Sequence, residues 1–346
     1  PGGMLRQAIP DYRLPREILD AEVQRILDLD ISLLRNVDFG SDIDLDELRD
    51  RHALIFLGLG AQAARSLGIP GEQGPGVISG IDYLQQRKRQ TESLQGKRVL
   101  VVGGGNTAID AARSARRDGA DVTVLYRRSA AEMPAAAAEV ADAGTEGVGF
   151  RLLASPTRIN RDGQAIRSVQ IQGMRLEEPD AQGRRRPVPI PGESDELAAD
   201  IVIVAVSQSP DWHGLDVTPG AHEWLRTRDD GKLDERMWAG GDDRGPGIAS
   251  KAIAQGRLAA ESVHAELRGE PRAGAAPPPR PVPSGAVKTD FFPEQRRSQS
   301  PRRPREEWLS NPDAEIDQTI SYEQACAEAA RCMSCGLCFD CQQCFM

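Results

Sequence analysis

Five cysteines, Cys332, Cys335, Cys338, Cys341 and Cys344, recur at every third residue in RCMSCGLCFDCQQCFM, residues 331–346. Thiolates are soft metal ligands, and Cys-x2-Cys-x2-Cys-x3-Cys is the spacing with which bacterial ferredoxins hold [4Fe–4S] clusters. Cys338, Cys341 and Cys344 match its first three positions, and the fourth falls beyond Met346. Cys332 and Cys335 can join an overlapping set or serve another cluster. Four thiolates can also hold zinc, although structural zinc sites usually pair two Cys-x2-Cys knuckles across a loop that this run lacks. A redox dithiol is a third chemistry open to these residues. Core packing does not explain the run, because a three-residue step drifts off any one helix face. Cys326, upstream in SYEQACAEAARC, reads as a buried helical thiol rather than a ligand.

A second constellation lies in VLVVGGGNTA, residues 99–108. Gly103, Gly105 and Ala108 fit Gly-x-Gly-x-x-Ala between a strand and a helix, the context that makes this motif a dinucleotide signature. Gly103 permits the sharp turn, Gly105 lets a pyrophosphate approach the backbone, and Ala108 lets helix and strand pack closely. The helix N-terminus offers N–H groups and the positive end of its dipole. The following strand, VTVLY, ends in Arg127-Arg128, where an NAD site carries an acid for the ribose 2′-hydroxyl. Two guanidiniums suit a 2′-phosphate instead, so NADP(H) is favoured, with NAD(H) bound less selectively as the other possibility.

The elements that must position these residues are legible in outline. REILDAEVQRILDL, residues 16–29, reads as a helix with Leu19, Val23, Ile26 and Leu27 on one face, and ISLLRNV as a short strand. Ser41 is a candidate cap for a helix over DLDELRDR, and ALIFLGLG reads as a buried strand ending in glycines. Residues 66–80 are a Gly/Pro-rich connection. From Lys97 the order is strand, glycine turn, helix, strand, followed by strand-like SVQIQGM and DIVIVAV. WAGGDDRGPGIASKAIAQGRLAAESVHAELRG reads as a strand end, a turn and a long helix. EPRAGAAPPPRPVPSG is a Pro-rich linker, QRRSQSPRRPR a solvated basic run or a docking strip for an acidic partner protein, and SYEQACAEAARC a helix.

Composition sets the outer limits. With 346 residues, two domains are expected, and 39% hydrophobic residues suffice for true cores. Net charge is −9, which disfavours a general nucleic-acid surface. No apolar run approaches the roughly 20 residues of a membrane span, and no signal peptide is visible. The six cysteines all lie from Cys326 onward, which argues against a disulfide framework and makes a reducing cytoplasm the default. His52, His213, His222 and His264 show neither metal spacing nor a nucleophile partner and read as structural. Glu132-Met133-Pro134 either positions a nicotinamide domain or is a plain loop. No serine triad or carboxylate pair emerges, as expected where cofactors carry the chemistry.

Ala239-Gly240-Gly241-Asp242, before a helix of small residues, resembles the second fingerprint of flavoprotein reductases, in which the aspartate accepts a ribitol hydroxyl. Together with GGMLRQAIPDYRLP, VVGGGNTAIDAARSARRDGADVTVLYRR, EMPA, RRRPVPIPGE, AGGDDRGP and the cysteines, it makes nearly the whole chain resemble the glutamate synthase small-subunit family. Dihydropyrimidine dehydrogenase carries a similar module. Members with a C-terminal ferredoxin segment, such as the iron–sulfur flavoprotein associated with sulfite reductase, are the nearest type. The resemblance implies an α/β protein with two doubly wound dinucleotide-binding domains. An FAD domain (1–70 and 208–269) is interrupted by an NAD(P)H domain (71–207), then follow a linker (270–320) and the start of an iron–sulfur segment (321–346). It implies FAD contacts from Gly2, Gly3, Met4, Arg13, Gly60, Gly241 and Asp242. NADP(H) contacts would come from Gly103, Gly105, Asn106, Thr107, Ala108, Arg127 and Arg128, with Ala205 to Ser207 beside the nicotinamide.

Two positions depart from that pattern. Gly58-Leu59-Gly60 replaces the usual Ala-Thr-Gly, and Ser207 replaces a glycine. The first FAD fingerprint would precede Pro1, so a fragment truncated at both ends is expected. The implied activity is electron transfer between NADPH, FAD and [4Fe–4S] clusters, to or from a protein partner. Delivery to a glutamate synthase large subunit is the alternative among enzymes, and a zinc-stabilised nucleotide-binding interaction protein the alternative outside them.

Overall fold

The computed structural model describes residues 1–90, 92–179, 183, 185–215, 224–270 and 294–331. They fall into two units, one formed by 1–260 with 304–315, the other by the described residues among 261–303 and 316–331.

The first unit opens with three helices, α1 (Gly3–Gln7), α2 (Arg16–Leu27) and α3 (Leu45–Arg51). Strands β1 (Ile55–Leu57), β2 (Ala63–Ala64) and β3 (Val77–Ser79) follow, then helix α4 (Gly80–Arg89). The glycine-turn unit is β4 (Arg98–Val102), α5 (Asn106–Arg117) and β5 (Asp121–Tyr126). After it come α6 (Ala137–Thr145), β6 (Gly149–Leu152), β7 (Ala154–Asp162), β8 (Ala165–Pro179) and β9 (Arg185–Ala198). β10 (Ile201–Val204), β11 (Gln208–Ser209), β12 (Met237–Ala239) and the long α7 (Ala249–Arg268) complete the return, and α8 (Glu306–Ser310) and α9 (Tyr322–Ala330) lie further on.

A five-stranded, all-parallel sheet in the order β3-β10-β4-β5-β6 is the frame. Its inner strands are apolar runs because both faces are covered. Alternation then sorts their residues: Val99, Val101, Val122, Val124 and Ile203 join Ala108, Ile109, Ala111, Ala112 and Ala115 of α5 in one core. Leu100, Val102, Leu125, Val202 and Val204 join Ile159, Ile166, Val169 and Ile171 in the other. Helices therefore cover one face, and the antiparallel sheet β7-β8-β9 covers the second. Pro187, Pro189 and Pro191 recur at every second residue of β9, so the missing N–H groups fall on one side of the strand, and β9 is the outer strand of its sheet.

β1 and β12 pair in parallel as a small second sheet, packed with Leu45, Leu215 and Leu225. The chain leaves this part along β2 and returns along β11, and those two strands pair antiparallel.

Several local expectations need correction. ISLLRNV is irregular, not a strand; no neighbouring strand among the described residues pairs with it, and Ile31, Leu33, Leu34 and Val37 are exposed. α2 ends at Leu27, and of its apolar stripe only Leu19 is buried, while Ile26 is exposed. The cap of α3 is Asp44, whose carboxylate accepts from Glu47 N (2.8 Å), because the helix begins at Leu45, beyond reach of Ser41. ALIFLGLG shortens to β1, with Phe56 exposed. Within the stretch read as linker, Trp308 of α8 is fully buried.

In the second unit Arg302 bridges to Asp317 in backbone and side chain, and Ser298 N donates to Glu328. α9 carries a capping box, Ser321 with Gln324. Cys326 on α9 is exposed, not buried; this helix has no buried residue.

Candidate functional site

β4 has β5 on one side and β10 on the other. In parallel α/β sheets ligands bind in the crevice outside the carboxyl ends of the strands, and at that end β4 passes into the glycine turn beside the end of β10. The glycine turn fills that point. Gly103 has φ 147°, and a Cβ on it would lie 2.2 Å from the carbonyl oxygen of Ala205. A Cβ on Gly104 would lie 2.5 Å from the Tyr126 ring. Around Gly105 a Cβ would meet nothing within 4 Å. Two glycines are thus demanded by the protein's own packing, whereas the third borders open space. No side chain caps the N-terminus of α5, so its dipole and first-turn N–H groups face that space uncovered by a cap. A phosphate fits the cradle on both counts.

The side chains of the turn hold its frame. Asn106 Oδ1 accepts from Ala136 N (3.1 Å), and Thr107 Oγ1 accepts from Gln208 Nε2 (3.3 Å). Ala108 is buried against the sheet. Ala205 N donates to Val102 O (2.8 Å), and Ser207 O accepts from Arg65 N (3.2 Å), so 205–207 runs from the end of β4 toward β2. At the end of β5, Arg127 is exposed and Arg128 Nε donates to the carbonyl of Arg185 on β9 (2.8 Å). Arg185 in turn donates from Nε to Glu132 Oε1 (2.6 Å). Glu132 closes a capping box with Ser129, and its carbonyl accepts from Tyr126 Oη (2.8 Å). The Ser129 contacts and Arg185 hold the Glu132 carboxyl below the usual range. Arg185 lies far along the chain, and no local signal singled it out.

The second group of candidates centres on β1 and β12. Gly240 N donates to Leu57 O (3.2 Å), and Gly241, at φ 74°, donates to Gln255 Oε1 of α7 (2.8 Å). Asp242 accepts from Gly247 N (2.9 Å), and burial raises its carboxyl. The next residue, Asp243, is fully buried and accepts from Leu59 N (3.1 Å) and Gly60 N (2.6 Å). Burial pushes its carboxyl up to about 6, and the two N–H groups work against that shift. Asp243 therefore ties the Gly58-Leu59-Gly60 turn to the GGD turn. Sequence reasoning chose Asp242 and passed over its neighbour; the doubled aspartate was the available signal.

Gly2 and Gly3 have positive φ (112° and 47°), and Met4 packs against the helix-side core. Arg13 chelates Asp110 of α5 (2.7 and 2.9 Å) and approaches Glu139 (3.4 Å). It thus binds the outer side of α5. Burial pushes the Asp110 carboxyl up to about 6, with Arg13 opposing. Further along α5, Arg113 and Arg117 both donate to Glu146 Oε1 (2.6 Å each), and their guanidiniums lie over the Tyr12 ring (4.8 and 3.8 Å). Trp308 covers Arg113 (5.9 Å), and Arg117 donates to Pro312 O (2.6 Å).

The five candidate ligands Cys332, Cys335, Cys338, Cys341 and Cys344 lie outside the described residues. Among the described residues no group of three or more His, Cys, Asp or Glu could hold a metal ion. No described helix is long and apolar enough to cross a membrane.

Comparison with known proteins agrees with this geometry. The chain is 41% identical to the beta subunit of the NADP(+)-dependent formate dehydrogenase of Moorella thermoacetica, over 77% of this chain and 39% of that protein. The beta subunit of the NADPH-Fe(3+) oxidoreductase of Geobacter sulfurreducens is 41% identical over 63% of this chain and 34% of its own length. A putative glutamate synthase NADPH small chain of Cereibacter sphaeroides is 34% identical, over 76% of this chain and 68% of that one. The chain thus spans well under half of the first two relatives. Among solved structures, FprA of Mycobacterium tuberculosis in complex with NADPH superposes with a TM-score of 0.65 at 18% identity, over 77% of this chain and 75% of that one, a likeness of fold. The family model for pyridine nucleotide-disulphide oxidoreductases matches residues 10–256, and the chain belongs to that family.

Proposed function

We propose that the chain is the nucleotide-binding core of a flavin-dependent oxidoreductase that moves electrons between NADPH, FAD and [4Fe–4S] clusters, to or from a protein partner. One observation carries the reading: an uncapped α5 with open space at Gly105, at the carboxyl end of β4 in a parallel sheet, with Arg127 and Arg128 following the next strand. The names of the relatives support NADPH in particular. When bound, the nicotinamide and flavin supply hydride transfer and the clusters supply single-electron transfer.

The chain's own residues bind and orient. Gly105 and the first turn of α5 receive the pyrophosphate, and Arg127 and Arg128 grip the 2′-phosphate bidentately. Ala205 to Ser207 line the nicotinamide side of the crevice. Asp242 accepts from the ribitol of FAD, and Gly60 and Gly241 line that second nucleotide, with Asp243 holding the two turns together. Gly2, Gly3 and Met4 complete the FAD side, where Arg13 contributes through its grip on Asp110 of α5 rather than by direct contact. Cys332, Cys335, Cys338, Cys341 and Cys344 supply thiolates to clusters. A cytoplasmic location fits free, reduced thiols.

The test is an anaerobic preparation reconstituted with FAD, iron and sulfide, assayed for flavin, iron, sulfide and zinc, and for NADPH-driven reduction of a dye. Iron with sulfide, and a yellow chromophore that bleaches on NADPH, are expected. Zinc without iron, or a flavin indifferent to NADPH, overturns the reading. A second reading, delivery of electrons to a glutamate synthase large subunit, is favoured by the small-chain relative of which the chain covers 68%. NADPH-dependent glutamate formation on adding such a subunit would select it.

A further inference from the structure

We infer that Arg185, on the β8–β9 ribbon, is a specificity-determining residue for the 2′-phosphate of NADP(H). The inference rests on the NADP(H) reading above and deepens it. Sequence places two guanidiniums at the end of β5, but the structure brings a third to the same corner. The carbonyl of Arg185 accepts from Arg128 Nε at 2.8 Å. This bond takes up the Nε position of Arg128 and fixes the plane of its guanidinium, leaving the Nη edge for an anion.

The side chain of Arg185 has a second task. Glu132 is the one acid in the loop SAAEMPA that follows the arginines. Its carboxylate accepts from Ser129 N (3.2 Å) and Ser129 Oγ, and Ser129 directly follows Arg128. An uncompensated carboxylate there would repel a 2′-phosphate. Arg185 pairs with it through Nε (2.6 Å) and cancels its charge. Glu132 is itself fastened, through its carbonyl and Tyr126 Oη (2.8 Å), to the ring that packs on Gly104. The ribbon, the arginines and the glycine turn are therefore one connected assembly. Arg185 is about half exposed (46% for the side chain), so the neutralised pair lies within reach of an incoming ligand.

Two ligands that differ only in the 2′-phosphate, 2′,5′-ADP and 5′-AMP, read this directly. Calorimetric titration of the full chain should show a preference for 2′,5′-ADP in the wild type. Arg185→Gln should weaken 2′,5′-ADP about tenfold and leave 5′-AMP unchanged, since the loss touches only the phosphate. Adding Glu132→Gln, which preserves the capping box, should recover part of that loss, because the repulsion is gone. Arg185→Lys should lie between wild type and Arg185→Gln. A wild type indifferent to the 2′-phosphate overturns the NADP(H) reading and the inference with it. A preference that survives intact in Arg185→Gln, or a loss shared equally by both ligands, overturns the inference alone.

Discussion

The two ends of α5 make opposite use of one helix. At its N-terminus, Gly105 borders open space and no side chain caps the first turn. On its outer half, Asp110, Arg113 and Arg117 are buried and matched by Arg13, Glu139, Glu146, Tyr12 and the main chain of Pro312. The first end has polar capacity left for a ligand. The second has spent its capacity on parts of its own chain, drawing residues 12–13, 139–146 and 308–312 onto one helix. A crowd of arginines is thus no sign of an anion site; what matters is whether their partners are already in place.

Breaking the second end should have the largest effect. Arg113→Ala removes the guanidinium shared by Glu139 and Glu146, leaving Glu146 with Arg117 alone and Glu139 with Arg13 at 3.4 Å. Loss of one member of a buried ion pair costs about 3–5 kcal/mol, and Arg117, which stays on Glu146, puts this loss at the lower end. The expected result is a matching fall in unfolding free energy, read as a lower urea midpoint, while binding of 2′,5′-ADP to the remaining folded protein is unchanged. A variant with wild-type stability and impaired nucleotide binding would reverse the assignment of the two ends.

Gly103→Ala comes next. At φ 147° an L side chain is strained, and its Cβ would lie 2.2 Å from the Ala205 carbonyl oxygen. Strain of this kind costs about 1–3 kcal/mol, and displacing Ala205 disturbs the segment packed against the glycine turn as well. Both stability and nucleotide affinity should fall. If neither does, the close approach of β4 and β10 at this point is not a requirement of the fold.

Asp243 is an intermediate case: a buried anion held by main-chain N–H groups rather than by a guanidinium. Its carboxyl is raised to about 6 from an unfolded value near 3.9, so between those two pH values the native state binds the extra proton. Stability from this group is therefore greatest below about pH 4 and is lost as pH rises through 6. Against Asp243→Asn, which does not titrate, the wild type should lose roughly 1–2 kcal/mol between pH 4 and pH 7 in paired urea titrations. A pH-independent difference would show that the carboxyl is not shifted.

What sequence reveals of this molecule follows from chain distance. The glycine turn, and the place of Arg127-Arg128 at the end of β5, were legible because strand, turn, helix and strand are consecutive. Arg185 was not, because its partners Arg128 and Glu132 lie 57 and 53 positions away. The cluster of Tyr12, Arg117 and Pro312 is likewise non-local: the Arg117–Pro312 bond spans 195 positions. The helix over 16–29 was legible as periodicity, but its burial was not, since an apolar stripe is buried only where another element meets it. ISLLRNV shows the same gap for strands, whose existence depends on a partner that local composition cannot display. Asp243 was missed for a different reason: two adjacent aspartates share one motif, and only burial separates the one that holds the Leu59 and Gly60 backbone from the one that accepts from Gly247.

Gly105→Ala should have the smallest effect on the fold and so gives the sharpest reading of the open end. Its backbone, φ −89° and ψ 176°, suits any residue, and an added Cβ meets nothing within 4 Å. Stability should stay within about 0.5 kcal/mol of wild type, since nothing in the protein is displaced. On the proposed reading, the methyl group nevertheless enters the space through which a pyrophosphate approaches the α5 N-terminus. Binding of 2′,5′-ADP and 5′-AMP should therefore weaken together, by about tenfold or more, because both carry the 5′-phosphate. Arg185→Gln weakens only the first of these ligands, so the two variants separate the phosphate cradle from the corner that reads the 2′ position. Unchanged affinity for both ligands in Gly105→Ala would mean that the space beside Gly105 is empty for some reason other than nucleotide binding, and the contrast between the two ends of α5 would lose its functional meaning.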